Sequence, residues 1–198
     1  DCSIEAALSW LAQHREWRAT HTPYQSLVYS AHPGVRLQVA SGVARYMGLN
    51  REGVTYFYAD LGRWCPHLSG ADDHNGMAFG GLEMMREVAR QLSPDRAGGP
   101  LIGAIVDIHC WAVWHGAYLG YILRFLIVFL EQYPRAIDHI FLLNAPLVFA
   151  QAWKVIRRAL DTYTRDRIVF VNEREIQVGY FTELFDREEI FASLGGPR

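Results

Sequence analysis

The sequence is poor in cysteine and carries none of the short motifs that mark several common enzyme classes. Its three cysteines, Cys2, Cys65 and Cys110, are odd in number and show no CxxC spacing. That usage is typical of a reducing cytosolic setting rather than of a secreted disulfide scaffold. The chain also lacks GxSxG, HExxH, a Walker loop and GxGxxG. These absences argue against a serine hydrolase, a zinc protease and a nucleotide cofactor.

The chain has little net charge, no internal repeat and no low-complexity tract. Its 198 residues carry a formal net charge of −2, with 51% hydrophobic and 20% charged residues, as expected for one globular domain. A single short basic cluster, Arg157, Arg158, Arg165 and Arg167 beside Tyr163, suits phosphate headgroups or solvent better than nucleic acid. We therefore expect no nucleic-acid partner.

The termini and the apolar segments predict neither a signal peptide nor a membrane span. The N-terminus has no basic start followed by a long apolar run. The most apolar run, residues 118–130, is interrupted by Arg124 and is shorter than the roughly 20 residues of a span, so we expect a buried helix. Because the sequence opens in helical register without an initiator methionine, we expect residues 1–198 to be one domain of a longer protein.

Hydrophobic periodicity predicts an α/β fold with a mainly parallel sheet and crossover helices. The apolar run at 101–108 is typical of a strand covered on both faces. The predicted strands are residues 54–61, 101–108, 139–143 and 167–171. The predicted helices are residues 4–20, 77–92, a segment ending at 132, 147–160 and 183–194. Residues 69–75 are expected as a loop and 93–100 as a turn-rich connector.

The helix predicted at residues 147–160 is strongly amphipathic, and Pro146 sets its first turn. At about 100° per residue, one arc holds Val148, Phe149, Ala152, Trp153, Val155, Ile156, Ala159 and Leu160. The other side holds Gln151, Lys154, Arg157 and Arg158. Two interpretations stay open: a helix packed on the sheet with a solvated polar face, or an interfacial helix whose arginines contact lipid phosphates.

The motifs around this helix resemble the CRAL-TRIO lipid-binding domain, the family of phosphatidylinositol, tocopherol and retinaldehyde transfer proteins. The matching positions are Tyr133-Pro134, Phe141, Asn144, Pro146, Phe149, Trp153, Leu160-Asp161, Thr164 and Arg167. The closing FASLGG at 191–196 and the segment NREGVTYFYADLG at 50–62 are also similar to the family. The LSWLAQHREWRA segment places residues 1–22 at the end of the family's N-terminal helical region. The resemblance thus covers nearly the whole chain.

The resemblance implies a lipid pocket above the sheet, closed by residues 147–160 acting as an amphipathic gate helix. It implies a bound lipid and no cofactor. The residues expected to line the pocket are Ile102, Ala104 and Val106 on the strand, Tyr118, Ile122 and Phe125 on the next helix, and Val148, Phe149, Ala152, Trp153 and Ile156 on the gate. Phe129 continues the helical stripe. The alternative for such a stripe is ordinary core packing.

The resemblance also implies a site for the lipid headgroup, but this sequence departs from the family's motif there. In members that bind phosphatidylinositol, a threonine and a lysine after the gate helix hold the inositol phosphate, opposite a glutamate after the Tyr-Pro pair. Here Thr164 matches, Arg167 replaces the lysine as a phosphate donor, and Arg135 reverses the charge of the glutamate. The strand that carries hydroxyls for phosphatidylcholine has none here. These departures argue against the usual exchange of the two phospholipids and allow a less polar ligand.

We therefore expect non-enzymatic binding and transfer, or sensing, of one lipid by a cytoplasmic, peripheral membrane protein. An alternative is a regulatory membrane-targeting domain that works with other domains of the same signalling protein. A minor alternative is a metal-dependent hydrolase using Asp107 and His109. Its other candidate ligands, without a compact motif, are His67, Asp72, Asp73, His74 and His115. We expect neither catalytic residues nor a metal site. A cysteine phosphatase is excluded because Gly116 stands where an arginine would follow Cys110.

Overall fold

The computed structural model describes residues 3–21, 33–68, 70–92 and 101–197, and a five-stranded sheet forms its centre. The strands lie side by side in chain order: β1 (Ala44–Leu49), β2 (Thr55–Asp60), β3 (Ile102–Asp107), β4 (Ile137–Leu143) and β5 (Ile168–Val171). Strands β2 to β5 are parallel, whereas β1 is antiparallel to β2. The predicted α/β class and mainly parallel sheet are confirmed.

Strand β1 is not among the predicted strands, because its sequence ARYMGL does not alternate between apolar and polar residues. The turn that follows places it against β2. The side-chain oxygen of Asn50 accepts hydrogen bonds from the backbone N–H groups of Glu52 and Val54 at 3.0 and 2.8 Å. Gly53 has a φ of 73°, which favours glycine. The turn chemistry therefore specifies the pairing of this edge strand.

Helices cover both faces of the sheet. They are α1 (Ile4–His21), α2 (Pro33–Ser41), α3 (Ala71–Leu92), α4 (Leu119–Gln132), α5 (Phe149–Ala159), α6 (Thr162–Arg165), α7 (Glu173–Gln177) and α8 (Tyr180–Leu184). Helix α3 begins six residues before its predicted start, so most of the expected loop at 69–75 is helical. Acidic Asp72 and Asp73 in the first turn favour this start. The predicted connector at 93–100 lies outside the described residues.

Helix α1 packs on the domain through Trp17 and one ion pair, and Trp10 and His14 form hydrogen bonds with Glu131 and Gln132 at the end of α4. The Trp17 ring lies edge-on to Phe79 of α3 and to Tyr133, with ring centroids 6.0 and 5.9 Å apart. Arg18 of α1 forms an ion pair with Glu83, and Glu83 also accepts a hydrogen bond of 2.6 Å from the Tyr133 hydroxyl. The tyrosine of the Tyr-Pro motif therefore joins α1, α3 and the end of α4.

The two faces of the sheet hold separate apolar clusters, and β3 contributes to both by alternation. Ile102 packs with Phe79 of α3 and Phe129 of α4, whereas Ile105 packs with the C-terminal segment on the other face. Gly103 lies directly over the Tyr56 ring, where a Cβ would approach a ring carbon to 2.0 Å. The glycine is therefore required by the close packing of β3 against β2.

The C-terminal segment differs from the predicted helix at 183–194. Helix α8 ends at Leu184, and two 3₁₀ turns follow, Arg187–Glu189 and Ala192–Leu194. Phe181, Phe185, Ile190 and Leu194 are all fully buried in one cluster. In a continuous helix Ile190 would lie about 180° from Phe181, so burying all four on one sheet face requires the break.

The apolar segment at 118–130 also differs from its prediction as a buried helix. Its structure runs from a 3₁₀ segment, Val113–Tyr118, into α4. By length and composition alone, Val113–Gln132 could cross a membrane, and it is the one such stretch of the described residues. Only 11% of the residues in its most apolar 18-residue window are fully buried. Most of the others, among them Ile122, Leu126 and Leu130, are half-buried against the apolar cluster beside α5.

Candidate functional site

Helix α5 lies on the same sheet face as α4 and confirms the predicted amphipathic pattern, except that Val148 and Val155 of the predicted apolar arc are 46% and 41% exposed. Its side chains Phe149, Ala152 and Ile156 are buried against Trp111 and Leu142, among others. The polar residues of the opposite arc, Gln151, Lys154, Arg157 and Arg158, are exposed. The helix begins at Phe149 and ends at Ala159, slightly shorter than the predicted 147–160.

Trp153 lies at the edge of the apolar face of α5 and is half-buried. Its ring is stacked near the Phe149 ring, with centroids 6.4 Å apart. It lies edge-on to the ring of Phe170 in β5, with centroids 5.1 Å apart. Phe170 is itself exposed on the last strand of the sheet. The tryptophan therefore covers the sheet edge from one side and remains open to solvent on the other.

The residues expected to line a pocket fall into two groups. One group is buried: Ile102, Ala104, Phe149, Ala152 and Ile156. The other group stays half-buried or exposed: Val106, Tyr118, Ile122, Phe125, Val148 and Trp153. Phe149, Ala152 and Ile156 fill the space beneath α5, whereas Ile102 packs with Phe79 and Phe129.

Two open clefts on the surface of the described residues lie elsewhere. One is a small cleft of about 160 Å³ lined by residues of β2, β4, β5 and α8. The larger cavity, about 320 Å³, is lined by Lys154, Arg157 and Arg158 of α5 and by Arg165 of α6. Neither cavity is lined by a residue of the predicted pocket.

The larger cavity is a basic cleft on the polar side of α5, formed by those four side chains. Arg165 is held in place by a hydrogen bond of 2.9 Å to the Leu160 carbonyl. The Asp161 side chain caps α6 by accepting a hydrogen bond of 2.7 Å from the Thr164 backbone N–H. This cap turns the chain so that Arg165 faces α5. Within the described part of the chain, none of the four cations forms an ion pair. Four unneutralised cations around one concave surface attract an anion.

The predicted headgroup residues lie close together beside this cleft. Thr164 is buried, and the Arg167 guanidinium lies 3.6 Å from the centroid of the Tyr163 ring. The Arg135 guanidinium lies 5.6 Å from the centroid of the same ring. The charge reversal at Arg135 therefore places a second cation near Arg167.

A stack of indole and imidazole rings lies where β3 leads towards α4. The His115 ring is nearly parallel to Trp111 and Trp114, with centroids 5.1 and 3.7 Å apart, and its Nδ1 accepts a hydrogen bond of 2.8 Å from the Ala112 N–H. Burial lowers the pKa of the His115 imidazole and also that of His74. Both rings are therefore packed in their neutral form.

We expect acid pH to destabilise the domain through these two histidines. A lowered pKa means that the unfolded chain binds more protons than the folded one below about pH 6.5. The free energy of unfolding therefore falls as the pH drops through that value, by at most about 1.4 kcal/mol per pH unit for one histidine. Urea unfolding at pH 7.5 and 5.5 checks this for the wild type and for His115→Gln. Identical pH dependence of the two proteins would contradict the role of His115.

The candidate metal ligands are dispersed and occupied by other contacts. Asp72 pairs with Arg124 at 2.8 Å, His74 lies 3.3 Å from the Pro66 carbonyl, and Asp107 pairs with His109 at 2.9 Å. Among the described residues, no three His, Cys, Asp or Glu side chains are grouped to hold a metal ion. The geometry gives the minor metal-hydrolase alternative no support.

Two features of the site are missing from the sequence-based prediction. One is the shape of the cleft: the sequence groups Arg157, Arg158 and Arg165 as a basic cluster, but their arrangement with Lys154 around one concave surface depends on the turn at residues 160–162. The other is the contact of His109 with both Asp107 and Cys110 at the end of β3. The HC pair at the end of a strand is the signal that could have indicated it.

A profile of the CRAL/TRIO domain matches residues 40–196, so the chain belongs to that family. Its members are lipid-binding transfer proteins, generally not enzymes and typically cytosolic. A comparison with curated protein sequences finds no significant match.

Solved structures show the same fold. Forty-four chains match significantly, among them the crystal structure of Sfh5. The match to Sfh5 has a TM-score of 0.77 at 17% sequence identity and covers 98% of this chain and 69% of Sfh5. At this identity the likeness shows the fold alone.

Proposed function

We propose that this domain binds one lipid molecule between α4, α5 and the sheet and exchanges it at a cytosolic membrane face. The observation that carries the proposal is the apolar helix α4, most of whose apolar side chains are only half-buried, while Ile127 is 51% exposed. Soluble domains rarely expose a large contiguous apolar surface unless it binds something. A lipid chain inserted along α4 covers this surface.

Helix α5 acts as the gate in this proposal. It rests on the sheet through Phe149, Ala152 and Ile156, so swinging it outward exposes these side chains together with those of the other buried lining residues. Each CH₂ group of an acyl chain buried in their place contributes about 0.8 kcal/mol. A long acyl chain therefore offsets the loss of the contacts beneath α5, and the membrane surface covers α5 while it is open.

The ligand class follows from the polar groups near the gate. Arg167, supported by Thr164 and Arg135, is placed to bind a phosphate if the lipid carries one. Strand β3 offers only Ile102, Ala104 and Val106 to the lipid, without a hydroxyl. The lipid is therefore an anionic phospholipid held by its phosphate, or a less polar molecule that uses the apolar surfaces only.

The lipid can be identified directly. We expect native mass spectrometry of freshly purified protein to show one bound lipid, which solvent extraction then identifies. Protein stripped of lipid should take up one molecule per chain from liposomes. A protein that contains no lipid and takes none up contradicts the proposal. Stable binding without transfer between liposomes would instead favour a sensing or membrane-targeting domain of a larger protein.

A further inference from the structure

Three polar side chains form a hydrogen-bonded series at the carboxyl end of β3. The Asp107 Oδ1 lies 2.9 Å from the His109 Nδ1, and the His109 Nε2 lies 2.8 Å from the Cys110 Sγ. The carboxyl ends of parallel strands are where α/β proteins commonly place reactive groups. Carboxylate, imidazole and thiol thus occur in the order of a Cys–His–Asp nucleophile relay.

The first member of the series is fixed. Asp107 is buried, and its Oδ2 accepts a hydrogen bond of 3.2 Å from the Tyr58 hydroxyl. Its Oδ1 also accepts the His109 backbone N–H at 3.0 Å. The carboxylate therefore holds the tautomer in which the His109 Nδ1 carries the proton and Nε2 has a free electron pair towards the thiol.

The reactive end of the series is open to solvent. The His109 side chain is 51% exposed and Cys110 is exposed, whereas Cys65 is only partly so. Gly62 faces the thiol, and a Cβ at this position would lie 3.1 Å from the sulfur. The glycine therefore allows the backbone at residue 62 to pack closely against the sulfur.

Two exposed apolar side chains follow the thiol closely in the chain. Val113 and Trp114, three and four residues after Cys110, are 80% and 49% exposed and begin the apolar segment Val113–Gln132. An acyl chain bound to the sulfur can lie along these side chains. A polar or charged group on the sulfur would gain nothing from them, so the surroundings favour a fatty acyl group over other modifications of a thiol.

We propose that Cys110 is the nucleophile of a Cys–His–Asp relay and accepts a fatty acyl group from an acyl thioester. The thiol proton moves to the His109 Nε2, and the thiolate attacks the carbonyl carbon of the thioester. The bond from this carbon to the sulfur of the carrier then breaks, and the carrier thiolate takes the proton from His109. One thioester replaces another, with no oxidation or reduction.

The acyl group gives the domain a membrane anchor that does not depend on the lipid between α4 and α5. One acyl chain gives only weak, reversible membrane binding, and stable attachment needs a second signal such as a basic surface. The acyl group on Cys110 by itself therefore gives reversible attachment. Acylation of Cys110 is a function separate from lipid exchange, and the experiments below test it without a lipid-transfer assay.

The test uses the full chain with Cys2→Ser and Cys65→Ser, incubated with palmitoyl-coenzyme A. Intact-mass analysis should show one acyl group per chain, removable by neutral hydroxylamine, and none after Cys110→Ser. Loss of the base should slow the reaction about 100-fold in His109→Ala. Asp107 is a positioning residue, and Asp107→Asn should slow the reaction less. Acylation that is absent, or that proceeds equally in His109→Ala, overturns the proposal.

The pH profile of alkylation by iodoacetamide separates chemistry from folding. The wild type should react faster than His109→Ala and Asp107→Asn at pH 7. The rates should converge above about pH 9.5, where cysteine thiols ionise without a base. A rate difference that persists at high pH would show that the substitutions merely disturb the loop, and it overturns the relay. Rapid alkylation of Cys110 without acyl transfer overturns the choice of substrate.

Discussion

Trp153→Asp is expected to abolish lipid transfer between liposomes while the domain stays folded. Trp153 is half-buried on α5 against Phe170, where a lipid chain or the bilayer would contact it. A carboxylate in this place must be buried in an apolar surface, at a cost of about 3 kcal/mol. Since about 1.4 kcal/mol is a factor of ten, we expect a transfer rate about 100-fold lower. A fluorescent-lipid transfer assay measures it.

Two variants serve as controls for this substitution. Trp153→Phe keeps an aromatic ring beside Phe170 and should retain most of the transfer rate. Gln151→Asp adds the same charge to the exposed face of α5 and should have little effect. Thermal unfolding of all three variants checks the fold. Unchanged transfer by a folded Trp153→Asp protein would show that α5 is not the gate.

The triple substitution Lys154→Glu, Arg157→Glu and Arg158→Glu should abolish binding to anionic vesicles at physiological salt. Each basic residue near an anionic surface contributes about 1 kcal/mol, so losing three weakens binding about 100-fold, and the added repulsion weakens it further. The side chains are exposed and line the basic cleft, so the fold should be unaffected. Sedimentation with vesicles containing phosphatidylserine measures the binding.

A control variant separates the effect of net charge on vesicle binding from the effect of the position of the charges. Arg51→Glu, Arg174→Glu and Arg187→Glu change the net charge by the same amount at exposed positions outside α5 and α6. This control should reduce vesicle binding far less than the cleft variant. Raising the salt concentration should weaken vesicle binding by the wild type until it approaches that of the cleft variant, because salt screens exposed charges. Equal losses in the two triple variants would contradict docking through the cleft.

Much of the fold could be predicted from local patterns. The continuous apolar run at β3 predicts a strand covered on both faces, and the amphipathic arc of α5 predicts which side chains the helix buries. Phe149, Ala152 and Ile156 are buried and Lys154, Arg157 and Arg158 are exposed, as that arc requires. These features depend on residues within a few positions of each other, so a single sequence is sufficient.

The prediction was wrong where distant residues compete with local preference. The segment at 183–194 has helical spacing only in parts, and the burial of Phe181 and Ile190 on the same sheet face breaks it. Strand β1 has no alternating pattern and forms because the turn at Asn50 brings it to β2. In both cases a contact made across the fold overrides what the local sequence favours.

The candidate site also has features that follow from local sequence and features that depend on contacts across the fold. The sequence by itself determined the alternation of β2 to β5 with crossover helices, the two-sided character of α5, the family motifs, and the presence of Thr164 and Arg167 after α5. Only the tertiary structure decided how much of α4 stays uncovered, that Arg165 joins α5 to form a cleft, and that His109 contacts both Asp107 and Cys110. Periodicity is a property of neighbouring residues, whereas exposure, charge clustering and side-chain contact depend on where separate segments meet in space.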